Sequence, residues 1–350
     1  MSSFRVGITR DFLNREGRLG FGDIDIGLGL LDEAGIAHEF LAEDAAELRP
    51  DQVAGYDGLL VLAPRITRAT LEGADRLAVV ARFGVGYDSV DVAACTGRGI
   101  AVTITPDGVR RPVAVAALTF LLALAHRLPD KDRLTRERRW DEKLAYMGTG
   151  TTGRTLGVIG LGNIGRELCR VVAPLDMRLL AHDPYVPAEV AAPLGVELVE
   201  LEALLTQADF VTVCCTLTPE TRHLIDARRL SLMKPSAFLI NVARGPIVDT
   251  AALADALRRH RIRGAGIDVF EVEPPPPDDE LLGLDNVILS PHAMCWTDEC
   301  FTGNGTSACR SMVAVARGDA PRDLVDRAVL DSPAFRSKLE TYRREKGANR

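Results

Sequence analysis

The chain has 350 residues, 47% of them hydrophobic, and a formal net charge of −7 from 42 basic and 49 acidic side chains. That length suits about two domains with substantial cores. The acidic balance argues against nucleic acid or an anionic membrane as the main partner.

From the start of the chain, Met1–Thr9 lacks the charged-then-apolar pattern of a secretory leader. Short apolar runs then alternate with helical patterns, the signature of a parallel α/β architecture. A first group of strand candidates is Arg5–Thr9, Gly58–Ala63, Ala78–Phe83 and Ile100–Thr103. A helix candidate follows at Pro112–Leu128, with a proline near its first turn. Its apolar run, Val113–Ala125, is too short to span a bilayer. The second strand group is Thr155–Ile159, Arg178–His182, Phe210–Val213, Ala237–Asn241, Gly264–Asp268 and Val287–Ser290. Most of these runs are continuously apolar, as in strands covered on both faces. A second long helix is expected over Thr297–Arg317, and the charged tail Phe335–Arg350 reads as a peripheral helix or partly disordered. The seven cysteines are too sparse for a disulfide framework. Their odd number fits a reducing compartment, so a cytoplasmic protein is expected. None has zinc-ligand spacing, and no metal site is expected.

The strand candidate Thr155–Ile159 runs directly into Gly160-x-Gly162-x-x-Gly165 and a helical pattern. In that setting Gly160 permits a tight turn, Gly162 lets the backbone approach a pyrophosphate, and Gly165 lets helix pack on strand. The helix N-terminus then offers free N–H groups and a positive dipole end to the phosphates. The next strand ends at Asp183, whose carboxylate can accept from ribose hydroxyls and would repel a 2′-phosphate. NAD is therefore expected in preference to NADP.

Three ionisable residues each follow a strand of this second group: Arg244, Glu273 and His292. In open α/β sheets ligands bind at the carboxyl ends of strands, so the three are placed to meet. Reduction of a 2-oxo acid needs a cation for the substrate carboxylate, and a guanidinium can bind it bidentately. It needs a proton donor for the developing alkoxide, the usual task of histidine near neutral pH. A carboxylate beside the histidine favours its charged form and fixes the ring.

With these pieces assembled, the chain resembles the D-isomer-specific 2-hydroxyacid dehydrogenase family, which includes phosphoglycerate, glyoxylate/hydroxypyruvate and D-lactate dehydrogenases. The resemblance rests on Gly84-Val-Gly-Tyr-Asp88, Gly160-Leu-Gly-Asn-Ile-Gly165, Leu217-Thr-Pro-Glu-Thr221, Asn241-Val-Ala-Arg-Gly245, Asp268-Val-Phe-Glu-Val-Glu-Pro274 and Ser290-Pro-His292. It implies two Rossmann-like, doubly wound α/β domains. A discontinuous substrate domain (1–108 and 295–350) would surround an inserted NAD-binding domain (109–294). It implies Arg244 as carboxylate binder, His292 as acid/base and Glu273 as its partner, with Val85 and Gly86 holding the substrate carboxylate. Asn163, Ile164, Cys215, Thr216, Thr221, Val242, Ala243, Arg244, Asp268 and His292 would join the glycines and Asp183 along the cofactor. A homodimer is the usual assembly. The chain departs from the family pattern at Cys214-Cys215-Thr216, Val115 and Ala293-Met-Cys-Trp296, which bears on substrate rather than on chemistry. Arg110 or Arg111 could meet a second polar group of the substrate or simply be solvated, and Trp296 could wall the pocket or serve an interface. No C-terminal regulatory domain is expected.

The expected protein is thus an NAD-dependent oxidoreductase interconverting a 2-oxo acid and a 2-hydroxy acid of D configuration, with His292 as acid/base. The rivals are a 3-phosphoglycerate dehydrogenase and a non-catalytic, NAD-sensing binding protein.

Overall fold

The computed structural model describes residues 4–348; the expectations for 1–3 and 349–350 lie outside the described residues. The chain forms two compact units. One runs up to Val109 and resumes at Thr297, and the other is Arg110–Trp296.

The first unit carries β1 (Arg5–Ile8), β2 (Ala37–Phe40), β3 (Gly58–Val61), β4 (Val79–Arg82) and β5 (Ala101–Thr103). They form one sheet in the order β2-β1-β3-β4-β5, every pair parallel. Parallel neighbours need crossover connections, so both faces are covered and the central strands must be apolar throughout. β3 has that character, with Leu59, Leu60 and Val61 fully buried. Each such side chain removes roughly 1.5–3 kcal/mol worth of apolar surface from water. The returning segment supplies the helix Asp298–Ala316, whose N-cap Thr297 accepts the Cys300 N–H at 3.2 Å. Its Phe301, Ala308, Cys309, Met312 and Val315 are buried. The tail helix Pro333–Ala348 docks on this unit rather than fraying from it. Phe335 is fully buried, and the buried Tyr342 hydroxyl donates to Asp57 Oδ1 at 2.8 Å.

The second unit carries β6 (Thr155–Ile159), β7 (Arg178–His182), β8 (Val196–Leu198), β9 (Phe210–Val213), β10 (Phe238–Asn241), β11 (Gly264–Ile267) and β12 (Val287–Leu289). The sheet order is β12-β11-β10-β9-β6-β7-β8, again with every pair parallel. This is the doubly wound arrangement. The strand order reverses between β6 and β9, and that reversal opens a crevice at the carboxyl ends of those two strands.

Two strands escaped the sequence reading. Each lies at one edge of its sheet, with Ala37 and Glu39 of β2 and Glu197 of β8 exposed. An edge strand needs no continuous apolar run, so neither has one. The long helix also differs from expectation. It runs Pro106–His126, so Pro106 marks its start and Pro112 lies inside it. Pro112 has no N–H to give the Gly108 carbonyl, and one helical hydrogen bond is missing there. By length and composition this 21-residue helix could cross a bilayer, whereas the apolar run alone looked too short. In the fold Ala114, Ala117, Phe120, Leu121 and Ala125 are buried within the protein.

Candidate active site

The cofactor crevice is built where β6 ends. Gly160 has φ +94, and a Cβ there would lie 2.6 Å from the Cys215 backbone, so the loop after β9 is pressed directly on the turn. Gly162 is the N-cap of helix Asn163–Val172, and a Cβ on it would meet nothing within 4 Å. That open space beside a helix N-terminus is what a phosphate group requires. A Cβ on Gly165 would lie 2.1 Å from the Gly160 carbonyl, so helix and turn pack backbone to backbone. Ile164 is half-buried and Asn163 exposed on the first turn. Asp183, just past β7, reaches over the turn. Its Oδ2 accepts the Leu161 N–H at 2.8 Å and its Oδ1 accepts the Tyr185 N–H at 3.0 Å. After β9, the Thr221 hydroxyl donates to the Thr216 carbonyl at 2.7 Å and closes the loop they share. Burial pushes the Cys215 thiol up to about 11, so it serves as wall rather than nucleophile. These donors and spaces fit a dinucleotide.

The second cluster follows β10, β11 and β12. Asn241 ends β10, buried, and its side chain brackets the next turn. Its Oδ1 accepts the Ala243 N–H at 3.1 Å, and its Nδ2 donates to the Arg244 carbonyl at 3.0 Å. Val242 is buried beneath that turn and Ala243 half-buried. Gly245 then touches the loop after β11 so closely that a Cβ would lie 1.9 Å from the Phe270 carbonyl carbon. The Arg244 turn is therefore seated on the loop that carries Glu273.

Glu273 Oε1 accepts the Phe270 N–H at 3.0 Å, and its Oε2 lies 2.8 Å from His292 Nδ1. Burial pushes Glu273 up, but the hydrogen bonds from His292 and Phe270 and the charges of His292 and Arg244 hold it below the ordinary carboxylate value. An ionised carboxylate only accepts, so His292 carries its proton on Nδ1 in this contact. That leaves Nε2 as the nitrogen able to exchange a proton with a ligand. His292 has φ +54, a left-handed conformation costing about 1–2 kcal/mol for a residue with a Cβ. Asp268 holds it there. The His292 N–H donates to the Asp268 carbonyl at 2.7 Å. Asp268 Oδ1 accepts the Ala293 and Met294 N–H groups at 3.0 and 3.1 Å.

The second unit thus brings together the expected Arg244, Asp268, Glu273 and His292. Val85 and Gly86 belong to the first unit, half-buried after β4. There Gly84, at φ +130, donates its N–H to the Thr105 hydroxyl at 2.8 Å. That hydroxyl donates to Asn304 Oδ1 at 2.7 Å. Arg111 pairs with Glu167 at 2.9 Å, so one of the two candidate substrate arginines has a partner within its own unit. Sequence reading missed Arg166, which holds Asn163 Oδ1 and the Gly162 carbonyl at 3.0 and 3.1 Å beside the open phosphate space. A basic residue one turn into the glycine-led helix was the available signal. It also missed the tie between Asp268 and the 292–294 turn, because a carboxylate inside a strand motif does not announce which backbone it will hold.

Residues 118–293 match the NAD-binding domain of the D-isomer-specific 2-hydroxyacid dehydrogenases. The chain is 39% identical over 302 residues to a glyoxylate reductase of Thermococcus onnurineus, covering 84% of this chain and 90% of that one. It is also 39% identical over 279 residues to a D-3-phosphoglycerate dehydrogenase of Methanocaldococcus jannaschii, covering 79% of this chain. It spans only 53% of that relative's length. Among solved structures, the TT0316 protein of Thermus thermophilus superposes with a TM-score of 0.80 at 33% identity, covering 92% of this chain and 100% of that one.

Proposed function

The chain belongs to the D-isomer-specific 2-hydroxyacid dehydrogenase family, and from that premise we propose that it reduces a small 2-oxo acid of the glyoxylate type, using NADH. The observation that carries this reading is the 2.8 Å contact between His292 and Glu273 beside the Arg244 turn. Arg244 binds the substrate carboxylate through its guanidinium. His292, its Nδ1 fixed by Glu273, gives the Nε2 proton to the substrate oxygen during reduction and takes it back in the reverse direction. A nicotinamide held here would supply the hydride for reduction and accept it in the reverse direction. Gly160, Gly162, Gly165 and the first turn of helix Asn163–Val172 would hold its pyrophosphate, and Asp183 its adenosine ribose. The match to the glyoxylate reductase, 39% identical over 84% of this chain and 90% of that one, supports the smaller substrate.

The test is NADH oxidation with glyoxylate, hydroxypyruvate, pyruvate and phosphohydroxypyruvate. We expect the highest kcat/KM with glyoxylate or hydroxypyruvate. A clear preference for phosphohydroxypyruvate would make it a phosphoglycerate dehydrogenase instead. NADH binding without turnover of any of them would leave the non-catalytic reading.

For the cofactor, the Asp183 carboxylate disfavours a 2′-phosphate through like-charge repulsion. Asp183→Ser should therefore improve the NADPH/NADH ratio of kcat/KM about tenfold, equivalent to ~1.4 kcal/mol of removed repulsion. An unchanged ratio would remove Asp183 from the selection of cofactor.

The homodimer is supported by exposed apolar side chains between positions 115 and 147 of the second unit. Leu128, Trp140, Leu144 and Met147, close in sequence, are 60–78% exposed, and apolar surface gathered in one segment is suited to covering by a partner. Sedimentation should give a dimer, and Trp140→Arg with Leu144→Arg should weaken it. A monomeric parent protein at micromolar concentration would overturn this assembly.

A further inference from the structure

A second histidine–carboxylate pair stands beside the first. Glu271, two residues before Glu273, lies with its Oε2 2.9 Å from His223 Nε2, and its Oε1 accepts the Thr250 N–H at 2.9 Å. We propose that Glu271, engaged by His223, is a positioning residue that holds three loops in one register: the cofactor loop ending at Thr221, the Arg244 turn, and the loop of Glu273. This rests on the reading of Arg244, Glu273 and His292 as the reacting set.

Each strut of that arrangement is a named contact. His223 follows directly on the Thr216–Thr221 loop and has φ +49. Its backbone N–H donates to the Pro246 carbonyl at 2.8 Å, two residues beyond Arg244. Ile225 and Asp249 extend the same seam, the Ile225 N–H to Ile247 and the Asp249 N–H to Ile225, both at 3.0 Å. Thr250 opens the helix Thr250–Arg258 that follows the Arg244 turn. Gly245 meanwhile rests on the Phe270–Glu271 backbone. Glu271 is therefore the one side chain among these contacts that reaches from the Glu273 loop to both of the other segments. Its charged surroundings are Arg222, 3.8 Å from Oε2, and Asp249, 4.0 Å from His223 Nδ1. Burial pushes Glu271 up, but the bonds from His223 and Thr250 hold it below the ordinary carboxylate value.

The accessibility of the pair separates this role from simple stabilisation. The His223 and Glu271 side chains are 39% and 24% exposed, so the pair is partly screened by water and its contribution to folding is modest. Their loss should be read in the kinetics, because sub-ångström to ångström displacements of reacting groups are expensive.

The experiment compares Glu271→Ala, Glu271→Gln and His223→Asn in the full chain. It measures KM and kcat for glyoxylate across pH, NADH affinity by fluorescence, and melting temperature. Glu271→Ala and His223→Asn should raise KM for glyoxylate about tenfold, with melting changed by no more than a few degrees. Glu271→Gln, whose amide oxygen still accepts from Thr250, should recover most of the parent KM. Parental KM in both disrupted variants would overturn the proposal, as would losses that only track melting or that glutamine fails to restore. If Glu271→Ala does not fold, His223→Asn decides the matter alone. If the parent protein turns over no 2-oxo acid, it is the functional reading that fails. NADH affinity then remains as the test of the loops, and an unaltered value in both disrupted variants overturns the proposal.

Discussion

His292→Ala should lower kcat/KM for reduction of a 2-oxo acid about a thousandfold while the protein still folds and binds NADH. General acid catalysis by one positioned side chain is worth roughly 10²–10⁴. His292 is the group whose Nε2 is left available once Glu273 has taken Nδ1. The pH profile carries the same information. Reduction needs a proton on Nε2, so the rate should fall in alkaline solution. Glu273→Gln removes the charge that orients the ring through Nδ1, so kcat/KM should fall as well. On the acid side, Glu273 is held below the ordinary carboxylate value, so its protonation should limit the rate only at a pH lower than that at which a free carboxylate titrates. The same depression is a stability statement. It contributes above the unfolded carboxylate's pKa and is lost as pH falls through the folded one. A His292→Ala protein with near-parental turnover, or a Glu273→Gln protein with parental kcat/KM, would sink the assignment.

Gly245→Ala should be nearly as damaging, though it removes no chemical group. The added methyl would lie 1.9 Å from the Phe270 carbonyl carbon, 2.0 Å from its oxygen and 2.4 Å from the Glu271 nitrogen. All three are backbone atoms of the loop that delivers Glu273, so no flexible side chain can yield. Overpacking of this kind costs about 1–3 kcal/mol in a well-packed site. The relief, separation of the Arg244 turn from the Glu273 loop, misplaces the carboxylate binder against the acid/base pair. A displacement near 1 Å can cost about a hundredfold in rate. We expect kcat/KM to fall by that order, with an earlier urea midpoint. Parental kinetics in a stable Gly245→Ala protein would mean that the two loops are not coupled through this contact.

Much of this architecture is written in local pattern. The covered strands β3, β6, β9, β10 and β11 are legible because burial on both faces leaves a continuous apolar run that no loop would carry. β2 and β8 are not, because an edge exposes one face and admits Glu39 and Glu197. Arg244, Glu273 and His292 could be nominated because each follows a strand, and the carboxyl ends of parallel strands are where ligands collect. Which hydrogen bonds they would make was another matter. That Glu273 meets Nδ1, that Asp268 spends one oxygen on the turn after His292, and that Glu271 meets His223 depend on loop register across three strands. Sequence spacing does not encode that register. The start of the long helix was misread for a simpler reason: Pro106 and Pro112 carry the same signal, and only packing decides which one opens the helix.

The division of the first unit has a consequence for synthesis. Its sheet is complete by β5, but the helix Asp298–Ala316 that covers part of it lies beyond the whole of Arg110–Trp296. A chain emerging N-terminus first must therefore finish the inserted unit while the earlier sheet is still partly bare. Phe83 and its neighbours wait for Phe301, which packs 5.3 Å from the Phe83 ring. Closing so long an intervening segment adds only a slowly growing entropic penalty, but the wait exposes apolar surface and unpaired edges. The inserted unit is contiguous and can fold as it appears. Its early completion fixes the two ends of the insertion, and so shortens the search by which the last segment finds the sheet that preceded it.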